Sequence, residues 1–127
     1  MRKEKSSKKV LDQLFSKYIR LKYSKDGIVH CYTCNKPMEW KRAQAGHFIP
    51  RNILVTRFSE DNVRPQCVGC NIFGRGKTLD FEENLIEEIG AERVARMKQS
   101  RFDMVKLTPL YYATQCAYYK QQVESLQ

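Results

Sequence analysis

The sequence has no apolar run of about 18 residues or more, and no apolar segment follows the charges of its first nine residues. A membrane-spanning helix needs such a run, and a signal peptide needs an apolar segment behind its basic start. Internal repeats and low-complexity blocks are also absent. We therefore expect a cytosolic protein with no membrane partner.

Acidic residues are scarce relative to basic ones, with 14 Asp and Glu against 23 Lys and Arg and a net charge of +9. This excess favours a polyanionic partner, because neutralising phosphates releases their counterions. Many small basic proteins nevertheless use such charge only as solvated surface. Charge alone thus favours nucleic acid without establishing it.

Cysteine is also rare, but four of the five cysteines form two C-x-x-C pairs, namely Cys31, Cys34, Cys67 and Cys70. The tight turn inside each pair points both sulfurs the same way, as one tetrahedral Zn²⁺ requires. We predict a structural four-cysteine zinc site, with buried free cysteines or a redox pair as the alternative. His30 could replace one thiolate, although four cysteines already fill the site. Cys116 is predicted to be a small core residue.

Three residues match the motif of the His-Asn-His nuclease module in its His-Asn-Asn form: His47, Asn62 and Asn71. The first two lie between the cysteine pairs, and the third directly follows the second pair. Four thiolates leave zinc no open position for water, so catalysis would need a second cation, Mg²⁺ or Mn²⁺. His47 would be the general base and Asn71 a ligand of that cation. Asn62 is the third catalytic-module residue, and its more typical role is to hold a loop through backbone hydrogen bonds.

Four basic side chains near this module are candidates for phosphate contacts: Arg51, Arg57, Arg75 and Lys77. The last two lie in a glycine-rich basic turn directly behind Asn71. We expect them to bind DNA through its backbone without reading bases.

Periodicity and capping residues predict the secondary structure. The predicted elements are a helix over 10–23, a strand over 28–31, a hairpin of 38–42 with 45–49, a helix that an Asp80–Glu83 capping box starts and Gly90 ends, a helix over 91–98, and a last helix from Thr108-Pro109. The tyrosines of the last helix, Tyr111, Tyr112, Tyr118 and Tyr119, are expected to pack against other helices, with base stacking as the alternative.

These elements predict an α+β fold, a small treble-clef ββα-metal (HNH-like) zinc core with flanking helices. Residues 1–9 are expected to be a basic mobile tail. Residues 10–127 would form a single zinc-stapled domain, with the core at 28–90 and the C-terminal helices at 91–127.

Several separate stretches resemble the NinG (Rap) recombination proteins of lambdoid phages. They are KYIRL (17–21), AGHF (45–48), Leu54, RFSEDN (57–62), QCVGCN (66–71) and LIEEIG (85–90). The resemblance implies a phage-encoded, zinc-stapled endonuclease of the host cytoplasm that acts on Holliday junctions or D-loops. A looser likeness exists to the phage endonuclease VII, which resolves junctions.

Two features depart from the wider pattern. The basic helical extension at the N-terminus of known family members is missing, so DNA affinity is expected to be weaker or supplied by a host or phage recombination protein. Most nucleases of the wider class also carry an acid or His before the catalytic His, where this chain and the NinG pattern have Gly46. The candidates for the second catalytic-metal ligand are Gln44, Asp61, Asp80 and Glu82.

Gly46 also favours a second hypothesis, a non-catalytic zinc-finger DNA-binding or adaptor protein, which the presence of both His47 and Asn71 opposes. A third hypothesis is a zinc-ribbon protein associated with RNA or the ribosome. If the substrate is a junction of near two-fold symmetry, a homodimer is expected.

Overall fold

The computed structural model describes residues 7–127 as a mixed α/β fold with two small antiparallel sheets. Its helices and strands are α1 (Lys8–Lys22), β1 (Ile28–His30), β2 (Pro37–Glu39), β3 (Gln44–His47), α2 (Leu54–Arg57), β4 (Val63–Gln66), α3 (Thr78–Ile89), α4 (Ala91–Ser100) and α5 (Pro109–Leu126). Within that range, no helix is both long and apolar enough to cross a membrane.

Helix α1 follows the predicted amphipathic pattern. The Ser7 side chain caps it by accepting a hydrogen bond from the Val10 amide, and the helix buries Leu11, Phe15 and Ile19. It begins at Lys8, inside the segment 1–9 predicted as a tail. Residues 1–6 of that segment lie outside the described residues.

The predicted hairpin of 38–42 with 45–49 is wrong. Strand β2 pairs with β1 instead, and β3 pairs with β4, in a register that sets His47 opposite Val63. The physical reason is the first cysteine turn, where the Cys31 amide donates to the Lys36 carbonyl and so folds β2 back onto β1. A 3₁₀ turn at Trp40–Arg42 then redirects the chain into β3.

The predicted capping box is also misplaced, because α3 begins at Thr78 and Asp80 lies inside its first turn. Lys77 occupies the N-cap position in a left-handed conformation, with φ of 49°. The predicted stop at Gly90 is confirmed, with φ of 93°. Thr108 caps α5 as predicted, since its side chain accepts from the Tyr111 amide at 3.1 Å.

Two apolar clusters hold these elements together. In the first, α1 packs against α5 through Phe15, Tyr119 and their neighbours, and Cys116 is buried there as predicted. The second joins Phe48, which directly follows β3, to Phe81 and other side chains of α3 and α4. The first cluster includes Val63 of β4 and the second begins directly after β3, so both help to position this strand pair.

Candidate functional site

The four paired cysteines come together, as their spacing predicts. The Sγ atoms of Cys31, Cys34, Cys67 and Cys70 all lie within 4.8 Å of one another. The Cys34 and Cys67 sulfurs are 3.7 Å apart, close to the edge of about 3.8 Å that a tetrahedron with Zn–S bonds of about 2.3 Å requires. The cluster can therefore hold a zinc ion. His30 is exposed on β1 and does not belong to the cluster.

The thiols of this cluster differ in acidity. Burial raises the pKa of Cys70 to about 12, and hydrogen bonds with other sulfurs contribute. For Cys31 burial acts in the same direction, but hydrogen bonds from Thr33 and the backbone outweigh it and lower the pKa to about 6. Because four adjacent thiols cannot all ionise without a cation, thiolate formation and metal binding are coupled here.

His47 lies at the end of β3, with its ring partly buried. Its Nε2 atom is 3.0 Å from the backbone carbonyl of Arg57. A carbonyl only accepts hydrogen bonds, so Nε2 carries the proton and Nδ1 of the neutral ring keeps its lone pair. Burial lowers the pKa of His47 below 6.5, and the nearby charge of Arg51 adds to the effect. The ring is therefore a neutral base at neutral pH.

His47 and Asn71 line the same cleft. Asn71 lies on a π-helical turn at Gly69–Phe73, directly behind the second cysteine pair. Its Nδ2 donates to Gln44 Oε1 at 2.8 Å, which fixes the amide orientation. The adjoining cavities that share these two residues have volumes of about 390 and 280 Å³. The structure thus brings together two of the three predicted module residues.

Asn62, the third module residue, is fully buried and does not line the cleft. Its Oδ1 accepts from the Ile49 amide at 2.7 Å, and its Nδ2 donates to the carbonyls of Ile49 and Thr56. Every polar atom of this side chain is therefore used to hold the long loop between β3 and β4. Asn62 is a positioning residue in this structure and makes no contact in the cleft.

The structure explains why glycine precedes His47. A Cβ atom at Gly46 would lie 1.8 Å from Gln66 Oε1, far inside contact distance. Gln66 is fully buried, and its Nε2 donates to Thr33 Oγ1 and to the Gly76 carbonyl. The amide thus connects the first cysteine turn to the turn behind Asn71, and position 46 has no room for an acid.

Arg57, predicted to contact phosphate, is engaged inside the protein in this structure. Its guanidinium is buried and pairs with Asp12 of α1 through two hydrogen bonds of 3.0 and 2.6 Å. A third bond, of 2.9 Å, goes to the Arg51 carbonyl. These bonds engage each nitrogen of the guanidinium inside the protein. Arg51, Arg75 and Lys77 are exposed, and the first two line the cleft.

Among the candidates for a second metal ligand, Gln44 is the one that lines the cleft. Asp61 pairs with Arg93, Glu82 pairs with Lys98 and Asp80 is exposed on α3. None of these three acids is among the residues that line the cleft. The carboxylate that does line it is Asp12. The sequence analysis did not identify Asp12 as a site residue. The one feature of the sequence that distinguishes it is that it is the single acidic residue in α1.

A model of the family described as the bacteriophage lambda NinG protein matches residues 1–127. Comparison with curated proteins and comparison with solved structures both find no match. The match extends the resemblance from the separate stretches between residues 17 and 90 to the whole chain. The chain therefore belongs to the bacteriophage lambda NinG family.

Proposed function

We propose that this protein is a metal-dependent endonuclease that cuts branched DNA during phage recombination. The observation that carries the proposal is the placement of a neutral histidine base and a hard oxygen donor in one cleft, His47 and Asn71. Exposed arginines lie at the same cleft, and the net charge of +9 suits a polyanionic substrate.

In this proposal His47 Nδ1 accepts a proton from a water molecule that attacks the phosphorus. The hydrogen bond from Nε2–H to the Arg57 carbonyl keeps the ring in the required tautomer. It also stabilises the imidazolium that forms, because a carbonyl oxygen carries partial negative charge. A positioned base of this kind contributes about 10²- to 10⁴-fold in rate.

The donor set of the cleft fits a hard cation such as Mg²⁺ or Mn²⁺, because it consists of oxygen atoms. Asn71 Oδ1 is the first candidate ligand, since its Nδ2 is already used in the bond to Gln44. Asp12 supplies the carboxylate of the lining, although it is shared with Arg57. Such a cation would neutralise charge on the scissile phosphate and the leaving oxygen.

The preference for branched DNA rests on the family alone. Among residues 7–127, the basic side chains near the cleft are dispersed over α1 and two loops. This distribution suits recognition of the DNA backbone and of DNA shape, and it includes no base-reading element. We therefore expect little sequence preference and a steep loss of affinity with salt. Symmetric cutting of a four-way junction would be simplest for a homodimer.

The test is incubation of the protein with labelled four-way junctions, D-loops and linear duplexes of equal length, with and without Mg²⁺ or Mn²⁺. We expect metal-dependent cleavage, fastest on the branched substrates. His47→Ala should lower the rate by about 10²- to 10⁴-fold while DNA affinity is retained. His30→Ala is the matched control, because His30 is the chain's other histidine and is exposed away from the cleft.

Normal cleavage by His47→Ala would show that the base is assigned wrongly. Equal cleavage of linear and branched DNA would remove the branched-substrate proposal and leave the nuclease one. DNA binding without cleavage under any metal condition would instead support the adaptor hypothesis. One observation favours that alternative, namely that the carboxylate lining the cleft, Asp12, is already paired with Arg57.

A further inference from the structure

Three cationic side chains surround the ring of Trp40, the single tryptophan of the chain. The distances to the ring centre are 6.0 Å from Lys17 Nζ, 5.4 Å from Arg20 Cζ and 5.8 Å from Lys41 Nζ. Lys17 and Arg20 lie on α1, and Lys41 lies on the 3₁₀ turn before β3. We call Lys17, Arg20, Lys41 and Trp40 the tryptophan patch.

Among the described residues, the three cations of the patch have no ion-pair partner, although Asp26 lines the same hollow as Trp40 and Lys41. By contrast, Arg57, Arg64 and Arg93 each have one. Arg20 is half-buried, its Nε donates to the Ser16 carbonyl, and burial lowers the pKa of its guanidinium. Like charges gathered within 6 Å of one ring repel one another.

The patch adjoins the His47 cleft. Ser16, one residue before Lys17, lines the cleft, as do Ala43 and Gln44, which follow the 3₁₀ turn that carries Trp40 and Lys41. Arg51 and Arg75 also line the cleft. The patch cations therefore lie within four residues along the chain of positions that line the cleft.

We propose that the tryptophan patch binds the sugar-phosphate backbone of the nucleic acid at a point next to the cut position. The partner is a polyanion with regularly spaced phosphates, because the patch cations adjoin a cleft that arginines also line. Lysine and arginine contact phosphates without reading sequence, and the Trp40 ring offers a face against which a sugar or base can lie. This inference rests on the proposed function, since it takes DNA as the substrate.

The single tryptophan makes the proposal directly measurable. The protein to use is the full chain with His47→Ala, so that DNA is bound but not cut. Titration with a four-way junction should change the emission of Trp40 in a saturable way, with the same midpoint as the fluorescence anisotropy of labelled DNA. A second titration with anionic phospholipid vesicles should leave the emission unchanged.

Charge removal gives the second readout. The double substitution Lys17→Gln and Arg20→Gln should lower affinity on the order of 10- to 100-fold at about 0.1 M salt, and reduce the salt slope by about 2, since each phosphate contact contributes about 0.9. Arg101→Gln with Lys106→Gln is the matched control. Both residues are exposed in the segment between α4 and α5. The far end of α5 lies by Trp40, and this 18-residue helix is about 27 Å long.

Lys41→Gln is a further variant that guards against damage to the fold. Arg20 is half-buried on a helix, so its substitution could disturb packing, whereas Lys41 is exposed. This variant should lower the salt slope by about 1. Wild-type affinity and slope in both patch variants, with Trp40 emission unchanged by DNA, would overturn the patch and leave the nuclease proposal intact. If the protein with an unsubstituted patch binds no DNA at low salt, both the patch proposal and the nuclease proposal are overturned.

Discussion

The imidazole of His47 is influenced by burial and by a nearby cation, and both lower its pKa below the ordinary 6.5. The neutral ring is the form that can accept a proton, so a lower pKa keeps the base available at lower pH. Activity should therefore be full above the pKa of the folded protein and fall as pH decreases through it. The acid limb of the pH–rate profile should lie below 6.5.

Substitution of Arg51 tests whether a nearby positive charge lowers the pKa of His47. Arg51→Gln removes the positive charge that opposes protonation of His47, so the acid limb should move to higher pH. The measurement is the single-turnover cleavage rate at saturating branched DNA over a pH series. Arg75→Gln is the control, because Arg75 also lines the cleft, whereas Arg51 is the charge that contributes most to lowering the His47 pKa. An acid limb that stays in place in Arg51→Gln would contradict the assignment.

A second prediction concerns the contact of Gly46 with Gln66. Gly46→Ala should lower the free energy of unfolding by about 1–3 kcal/mol, because its Cβ would overlap Gln66 Oε1. In a Gln66→Ala background the same substitution should cost much less, a coupling that a double-mutant cycle measures. Urea unfolding of the zinc-loaded protein gives the values. Gly69→Ala is the control, since its Cβ would meet only Cys67 Sγ at 3.8 Å; additive effects of the Gly46 and Gln66 changes would contradict the argument.

At the scale of elements, helix α1 is joined to the β3–β4 loop by the pairing of Asp12 with Arg57. The Arg57 side chain is 10% exposed, so removal of its carboxylate leaves a charge nearly out of water. Asp12→Ala should therefore lower the free energy of unfolding by about 2–4 kcal/mol. Denaturant unfolding measures this effect.

The control for Asp12→Ala is Glu92→Ala, which breaks the exposed i,i+4 pair of Glu92 with Arg96 on α4. An exposed pair of this kind contributes only about 0.3–0.5 kcal/mol. If both variants lose equally little stability, the Asp12–Arg57 pair does not hold α1 to the loop.

The sequence predicts those elements whose causes are local. Helix α1 follows from its apolar stripe, and α5 from the Thr108-Pro109 start, since capping and periodicity act within a few residues. Strand pairing depends on partners far along the chain, so the choice of β4 over β2 as the partner of β3 has no local signal. The same reason hides the bond between Asp12 and Arg57, which are 45 residues apart.

The candidate site likewise combines features with local causes, which the sequence predicts, and a long-range contact, which it does not. The four cysteines could be predicted because two turns with fixed spacing each supply two ligands to one ion. His47 and Asn71 are predicted from a module pattern, and the structure places both in one cleft, while their catalytic role stays a prediction. The absence of Arg57 from the surface depends on a buried ion pair, which basic composition does not reveal.

At the scale of the whole molecule, the cysteine cluster joins the two sheets, because one pair follows β1 and the other follows β4. The purified protein should contain one zinc per chain, and a strong chelator should unfold it, since metal affinity of about 10 kcal/mol or more is coupled to folding. Metal analysis and circular dichroism measure both effects.

Two cysteine substitutions separate metal loss from core damage. Cys34→Ser should release zinc and lower stability, whereas Cys116→Ala should retain the metal, because Cys116 lies in the α1–α5 core. Protein that contains no zinc as purified, or a Cys34→Ser variant with wild-type stability, would remove the zinc assignment.

The contact of Gln66 with Gly46 also predicts how the two positions vary among homologues. A side chain at position 46 and a glutamine at position 66 compete for the same volume, so the residues should covary. Relatives that carry an acid before the cleft histidine should have a small residue at the position of Gln66. Relatives that keep the glutamine should keep the glycine, because the volume at this point holds one of the two side chains.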